Sequence, residues 1–157
     1  MTRIDFYILP GSDPHARRLT ACRLVEKAYR QGHTLYLKTD SEEEMRLFDD
    51  LLWTFRQGSF VPHELAETAE REAPVVIGYT TPPPHLFDVL VNLGTEVAEG
   101  FGAFERVAEL VDQQESIKRA GRQRYKRYQS EGYEIQTHQL DAPDRSSICW
   151  PMCRPSH

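Results

Sequence analysis

Cysteine is scarce in this chain: Cys22, Cys149 and Cys153 are the only three in 157 residues. An odd, widely spaced set excludes a disulfide-stapled scaffold and suits a reducing compartment, so the expected location is the cytoplasm. Long apolar runs are missing too. No stretch approaches the roughly 18 residues that a membrane span needs. The opening MTRIDFYILPGSDP alternates and carries an acid, which makes it a first strand rather than a signal peptide. Phosphate-binding glycine loops are also absent. The pattern Gly-x-x-x-x-Gly-Lys-Ser/Thr does not occur. The nearest dinucleotide-like run, Gly100 to Glu105, puts an acid where a third glycine should stand, and that acid would repel a pyrophosphate. There is no Gly-x-Ser-x-Gly elbow and no His-x-x-x-His on a helix. Cys149, Cys153 and His157 are too few and too poorly spaced for a metal. No catalytic residue, metal or cofactor is expected.

What remains is a chain of one-domain length with 39% hydrophobic and 27% charged residues. RIDFYIL (3–9) predicts a strand ended by Pro10-Gly11-Ser12. Leu19, Cys22, Leu24, Val25, Ala28 and Tyr29 recur at helical spacing over 13–31, and Gly32 stops that helix. HTLYLKT (33–39) predicts a second strand. The strand–helix–strand order predicts a parallel pair joined by a right-handed crossover. Ser41 followed by Glu44 predicts a capping box on a helix that turns Met45, Leu47, Phe48, Leu51 and Leu52 inward. PVVIGY (74–79) and DVLVNL (88–93) are further strands. The apolar run of the first suits a sheet buried on both faces. FERVAELV (104–111) fits either a helix end or a buried strand. A strong helix covers 112–130, stopped by Gly132, and YEIQTH closes the sheet. The expected fold is α/β: a three-layer αβα sandwich around a mostly parallel sheet, Rossmann-like but without a phosphate-binding motif. It fills residues 1–140, with an irregular proline-containing tail over 141–157.

Two stretches resist a purely structural reading. LLWTFRQGSFVPHELA (51–66) gathers Trp53, Phe55, Phe60, Val61 and Pro62 at a helix end and the loop after it. These residues either cap the domain's own core or form a docking patch. The second is ESIKRAGRQRYKRYQSEGYEI (115–135). Its segment from Lys118 to Tyr128 holds six cations and no acid, although the whole chain has net charge −5. On a helical wheel Lys118, Arg122, Tyr125 and Lys126 share one face. Ile117, Ala120, Gly121, the stem of Arg124 and Tyr128 fall on an adjoining face that can pack on the sheet. Gly121 costs a helix about 1 kcal/mol against alanine and so marks a close approach. The single-sign stripe suits an acidic peptide with an aromatic anchor, or a short single nucleic-acid strand stacked on Tyr125 and Tyr128.

DFYIL, LW followed by SFVPH, APVVI and the 115–135 run stand in an order that resembles the chi subunit of bacterial DNA polymerase III holoenzyme, over about residues 1–140. The resemblance implies a non-catalytic accessory protein of the clamp-loader assembly, with two partners and reaching DNA only through them. One is the C-terminal tail of the single-stranded-DNA-binding protein, which ends in acids, a proline, an aromatic residue and a free carboxylate. Its site would carry over to Val111, Lys118, Arg122, Tyr125 and Lys126. The other is the psi subunit, whose site would carry over to Trp53, Phe60, Pro62 and His63. Direct binding of single-stranded nucleic acid by the basic helix is the alternative.

Overall fold

A computed structural model describes residues 2–55, 62–65, 74–79, 88–98 and 100–140. The chain begins with β1 (Arg3–Ile8), α1 (Pro14–Arg30), β2 (Leu35–Lys38) and α2 (Glu42–Thr54). Three short strands follow: β3 (His63–Leu65), β4 (Val75–Gly78) and β5 (Val89–Asn92). After a 3-10 turn at Phe101–Ala103 come β6 (Arg106–Val111), α3 (Glu115–Ser130) and β7 (Glu134–Gln139).

Among the described residues the strands form one sheet in the order β3-β4-β2-β5-β6-β1-β7, and every neighbouring pair is parallel. Strand side chains alternate between two cores. On one face Tyr7, Leu37, Ile77, Val91 and Leu110 meet Cys22, Leu24 and Val25 of α1 and Met45, Phe48 and Leu52 of α2. On the other, Ile4, Phe6, Tyr36, Leu90 and Val107 meet Phe101, Phe104 and Tyr128 of α3. Helices on both faces of a parallel sheet make the expected three-layer α/β sandwich. They also explain why β4 and β5 are apolar at nearly every position.

Local chemistry sets the helix ends. Asp13 accepts from the His15 amide at 3.0 Å, Pro14 begins α1, and Gly32 leaves it at φ +93°. Ser41 accepts from the Glu44 amide at 3.2 Å, as a cap should. The Glu44 carboxylate, however, turns to Arg18 of α1 at 3.0 Å instead of closing a capping box, and so ties α2 to α1.

Several expectations need correction. β1 and β2 are not a pair: β6 and β5 lie between them, because α1 carries the chain across the sheet before it re-enters. Of the two readings left open for 104–111, the strand holds, over Arg106–Val111. α3 starts at Glu115, since Asp112 turns its carboxylate to the Gln114 amide at 3.0 Å and ends β6 first. Leu47 faces outward at 40% exposure. Part of the aromatic stretch is itself sheet, as β3. The proposed tail, 141–157, lies outside the described residues.

Candidate peptide-binding groove

α3 crosses the sheet over β6, β1 and β7, and its helical phase divides its residues as their chemistry demands. Gly121, Arg124 and Tyr128 are buried, while Arg122 and Lys126 are exposed. Beneath α3 lies a polar anchor. Glu109 projects from β6 into the core, and its carboxylate accepts from Arg124 Nε at 2.8 Å and from Asn92 Nδ2 at 3.0 Å. The Tyr128 hydroxyl donates to the same carboxylate. Arg124 Nη1 also donates to the Thr95 carbonyl at 2.9 Å. Both charges are thus paired and hydrogen-bonded, which a buried ion pair requires. Burial first, and then the Glu109 charge, push the Tyr128 phenol above its ordinary range. The Arg124 stem packs inward, as its helical phase predicts, and the guanidinium is buried with it. The visible sign was Glu109, a lone acid inside the apolar run Val107 to Val111.

With α3 held in this way, a groove of about 250 Å³ opens between it and the β1–β7 end of the sheet. Phe6 and Ile8 of β1 and Val111 of β6 line it from the sheet. Lys118, Gly121, Arg122 and Tyr125 line it from α3, and Thr137 and Gln139 from β7. The Tyr125 ring rests on Phe6, with centroids 5.4 Å apart. Gly121 makes room: a Cβ there would meet Val111 Cγ2 at 2.8 Å. Four of the five residues expected at the tail site, Val111, Lys118, Arg122 and Tyr125, therefore border one apolar cavity. Lys126 follows on the same exposed side, one turn beyond Arg122.

The cations of α3 differ in their partners. Arg119 pairs with Glu115 at 3.7 Å, Arg127 with Glu131 at 2.9 Å, and Arg124 with Glu109. Among the described residues Lys118, Arg122 and Lys126 have no acid; Lys118 Nζ reaches only the Gln113 amide oxygen at 3.3 Å. The unneutralised charges are the ones on the groove side. Tyr128, by contrast, lies in the core, so it offers no ring for stacking at the surface.

The second candidate surface sits at the opposite edge of the sheet. Trp53, at the end of α2, is 48% exposed, and its ring lies against His63 of β3 at 4.4 Å between centroids. The His63 ring is buried and reaches the Asp49 carboxylate at 3.2 Å. It therefore supports Trp53 from below. Pro62 is half-buried beside it, and Phe60 lies outside the described residues. Among the described residues no cluster of His, Cys, Asp and Glu could hold a metal ion, and no helix is long and apolar enough to cross a membrane.

Comparison with known proteins supplies the family. Residues 1–136 match the family described as DNA polymerase III chi subunit, HolC. The chain belongs to the chi family. It is 45% identical over 140 residues to DNA polymerase III subunit chi of Pseudomonas aeruginosa, covering 89% of this chain and 98% of that one. To the Escherichia coli K12 chi subunit it is 31% identical over 144 residues, covering 87% and 97%. To that of Haemophilus influenzae it is 26% identical over 138 residues, covering 87% and 96%. Chi is an accessory subunit of DNA polymerase III, not its catalytic one, so this chain serves DNA replication without a reaction of its own.

Proposed function

We propose that this chi-family chain is an adaptor of the cytoplasmic replisome, and that its groove holds the acidic C-terminal tail of the single-stranded-DNA-binding protein. One observation carries the reading: of the α3 cations without acid partners among the described residues, Lys118 and Arg122 border a single apolar groove, and Lys126 follows one turn beyond on the same exposed side. Arg122 suits a terminal carboxylate, because a planar guanidinium can donate two parallel hydrogen bonds. Lys118 and Lys126 attract the neighbouring acids as point charges. Phe6, Val111 and Tyr125 offer an aromatic side chain an apolar wall. Exposed ion pairs contribute only about 0–1 kcal/mol each, so such a site should bind at about micromolar strength.

Fluorescence anisotropy with a labelled acidic peptide ending in an aromatic residue and a free carboxylate tests this. Binding should be lost in Arg122→Ala and in the C-terminally amidated peptide. Equal binding of the amidated peptide would overturn the carboxylate grip. A labelled oligonucleotide serves as the competing probe. Direct strand binding is disfavoured by the burial of Tyr128, which leaves Tyr125 as the one ring of that pair at the surface.

At the opposite edge, Trp53 is the residue best placed to meet the psi subunit and link the chain to the clamp loader, with Pro62 and His63 behind it; Phe60, outside the described residues, belongs to the same proposed site. Co-purification of psi with Trp53→Ala tests that role. Loss of psi with unchanged circular dichroism supports it; retention of psi removes Trp53 from the interface.

A further inference from the structure

One wall of the groove is a sheet edge. β7 ends the strand order, with β1 as its neighbour on one side and, among the described residues, no strand on the other. Its backbone phase is set by the Leu140 amide, which donates to the Ile8 carbonyl at 2.9 Å. In a parallel ladder the N–H and C=O of one residue point to the same side, and those of the next residue to the opposite side. Residues an even number of places from Leu140 therefore face β1. Thr137 and Gln139 turn their backbone groups outward. These same two residues line the groove with their side chains, and both are exposed.

The edge is also unguarded. Exposed edge strands are commonly blunted by proline, lysine or a bulge. β7 reads EIQTHQ, without proline or lysine, and pairs with β1 in unbroken register from Glu134 to Gln139. Its one acid, Glu134, lies at the start of the strand, away from Thr137 and Gln139.

We propose that the bound peptide continues out of the groove as an added strand on β7, pairing its main chain with the outward groups of Thr137 and Gln139. This rests on the peptide-binding reading of the groove and adds how the residues before the terminal one are held. The occupant is an acidic peptide because Lys118, Arg122 and Lys126 flank that path, and because only a peptide backbone can complete the ladder. Main-chain pairing of this kind supplies affinity with little demand on sequence. The side chain at the end of the peptide then supplies specificity in the groove.

The test is a scan of singly N-methylated acidic tail peptides against the wild-type chain, read by anisotropy. A backbone methyl removes one N–H without changing charge. At alternate positions it should weaken binding about tenfold, the loss expected for one main-chain hydrogen bond, with the intervening positions within about twofold. A flat profile, with binding that still requires Arg122, overturns the added strand and leaves the peptide site standing. Failure of the unmethylated peptide to bind removes both. A second arm uses Thr137→Pro, which deletes an outward N–H and spares the ladder to β1. It should bind the unmethylated peptide more weakly with unchanged circular dichroism, and undiminished binding counts against the proposal. If this variant fails to fold, the methylated peptides decide alone.

Discussion

Gly121 of α3 and Val111 of β6 touch so closely that a single added carbon on the glycine would lie 2.8 Å from a valine methyl. Valine is stiff at χ1 and cannot swing away cheaply. Gly121→Ala should therefore forfeit the roughly 1 kcal/mol that alanine gives a helix, because overpacking costs about 1–3 kcal/mol. Urea denaturation should find the variant no more stable than wild type. Because both residues line the groove, peptide affinity should fall as well. Gly121→Ala with Val111→Ala should be less destabilised than the sum of the two single changes.

Arg124 and Glu109 form the anchor beneath the helix. Arg124→Met strands a buried carboxylate and should cost about 3–5 kcal/mol. Adding Glu109→Gln should recover part of that loss, since an amide leaves no charge without a partner. Denaturant midpoints of the two variants decide it, and a double variant no better than Arg124→Met would mean that packing rather than charge sets the cost.

The unpaired and paired cations of α3 should respond differently to charge reversal. Lys126→Glu should weaken binding of the acidic peptide about tenfold and lessen its dependence on salt. Arg119→Glu, on the side already paired with Glu115, should leave binding within about twofold. Both changes lie at exposed positions, and both variants should keep their stability within about 1 kcal/mol.

Alkaline pH should destabilise the fold. Burial pushes the Cys22 thiol up to about 12, and the Tyr128 phenol is raised as well. In the unfolded chain the same groups ionise near about pH 8.5 and 10. The folded form holds them neutral, so their contribution is complete below about pH 8.5 and is lost as pH rises toward 12. Raising the pH from 8 to 10 should cost about 1–2 kcal/mol through Cys22, seen as a lower urea midpoint. Cys22→Ala should flatten that dependence.

Much of this was legible in the chain. The helical phase of 115–130 separates an inward set from an outward stripe, and the groove appears where the stripe meets the sheet. The alternation and apolar runs mark five of the seven strands outright and leave a sixth, at 104–111, open between strand and helix end. What escaped has physical reasons. The separation of β1 from β2 depends on which later strands insert between them, and no local pattern encodes that. β3 is three residues long and carries no period of its own. The inward phase of Arg124 was visible, but not its ion pair: arginine is rarely buried unless paired, and its partner Glu109 comes from another element. His63 looked like a surface residue of a loop, yet the pairing of β3 with β4 turns it under Trp53.

The order β6-β1-β7 also governs when this molecule can be assembled. Arg3 stands opposite Arg106 on one side and Glu134 on the other. β1 thus leaves the ribosome before either of its neighbours, β6 and β7. Such distant pairings are slow to close, and synthesis delivers them at about 5–20 residues per second. Phe6 and Ile8, which line the groove, must wait beside the growing chain as unpaired strand until β6 and then β7 arrive. The groove consequently cannot form before β7 is made, and a chain cut short before β6 cannot present it.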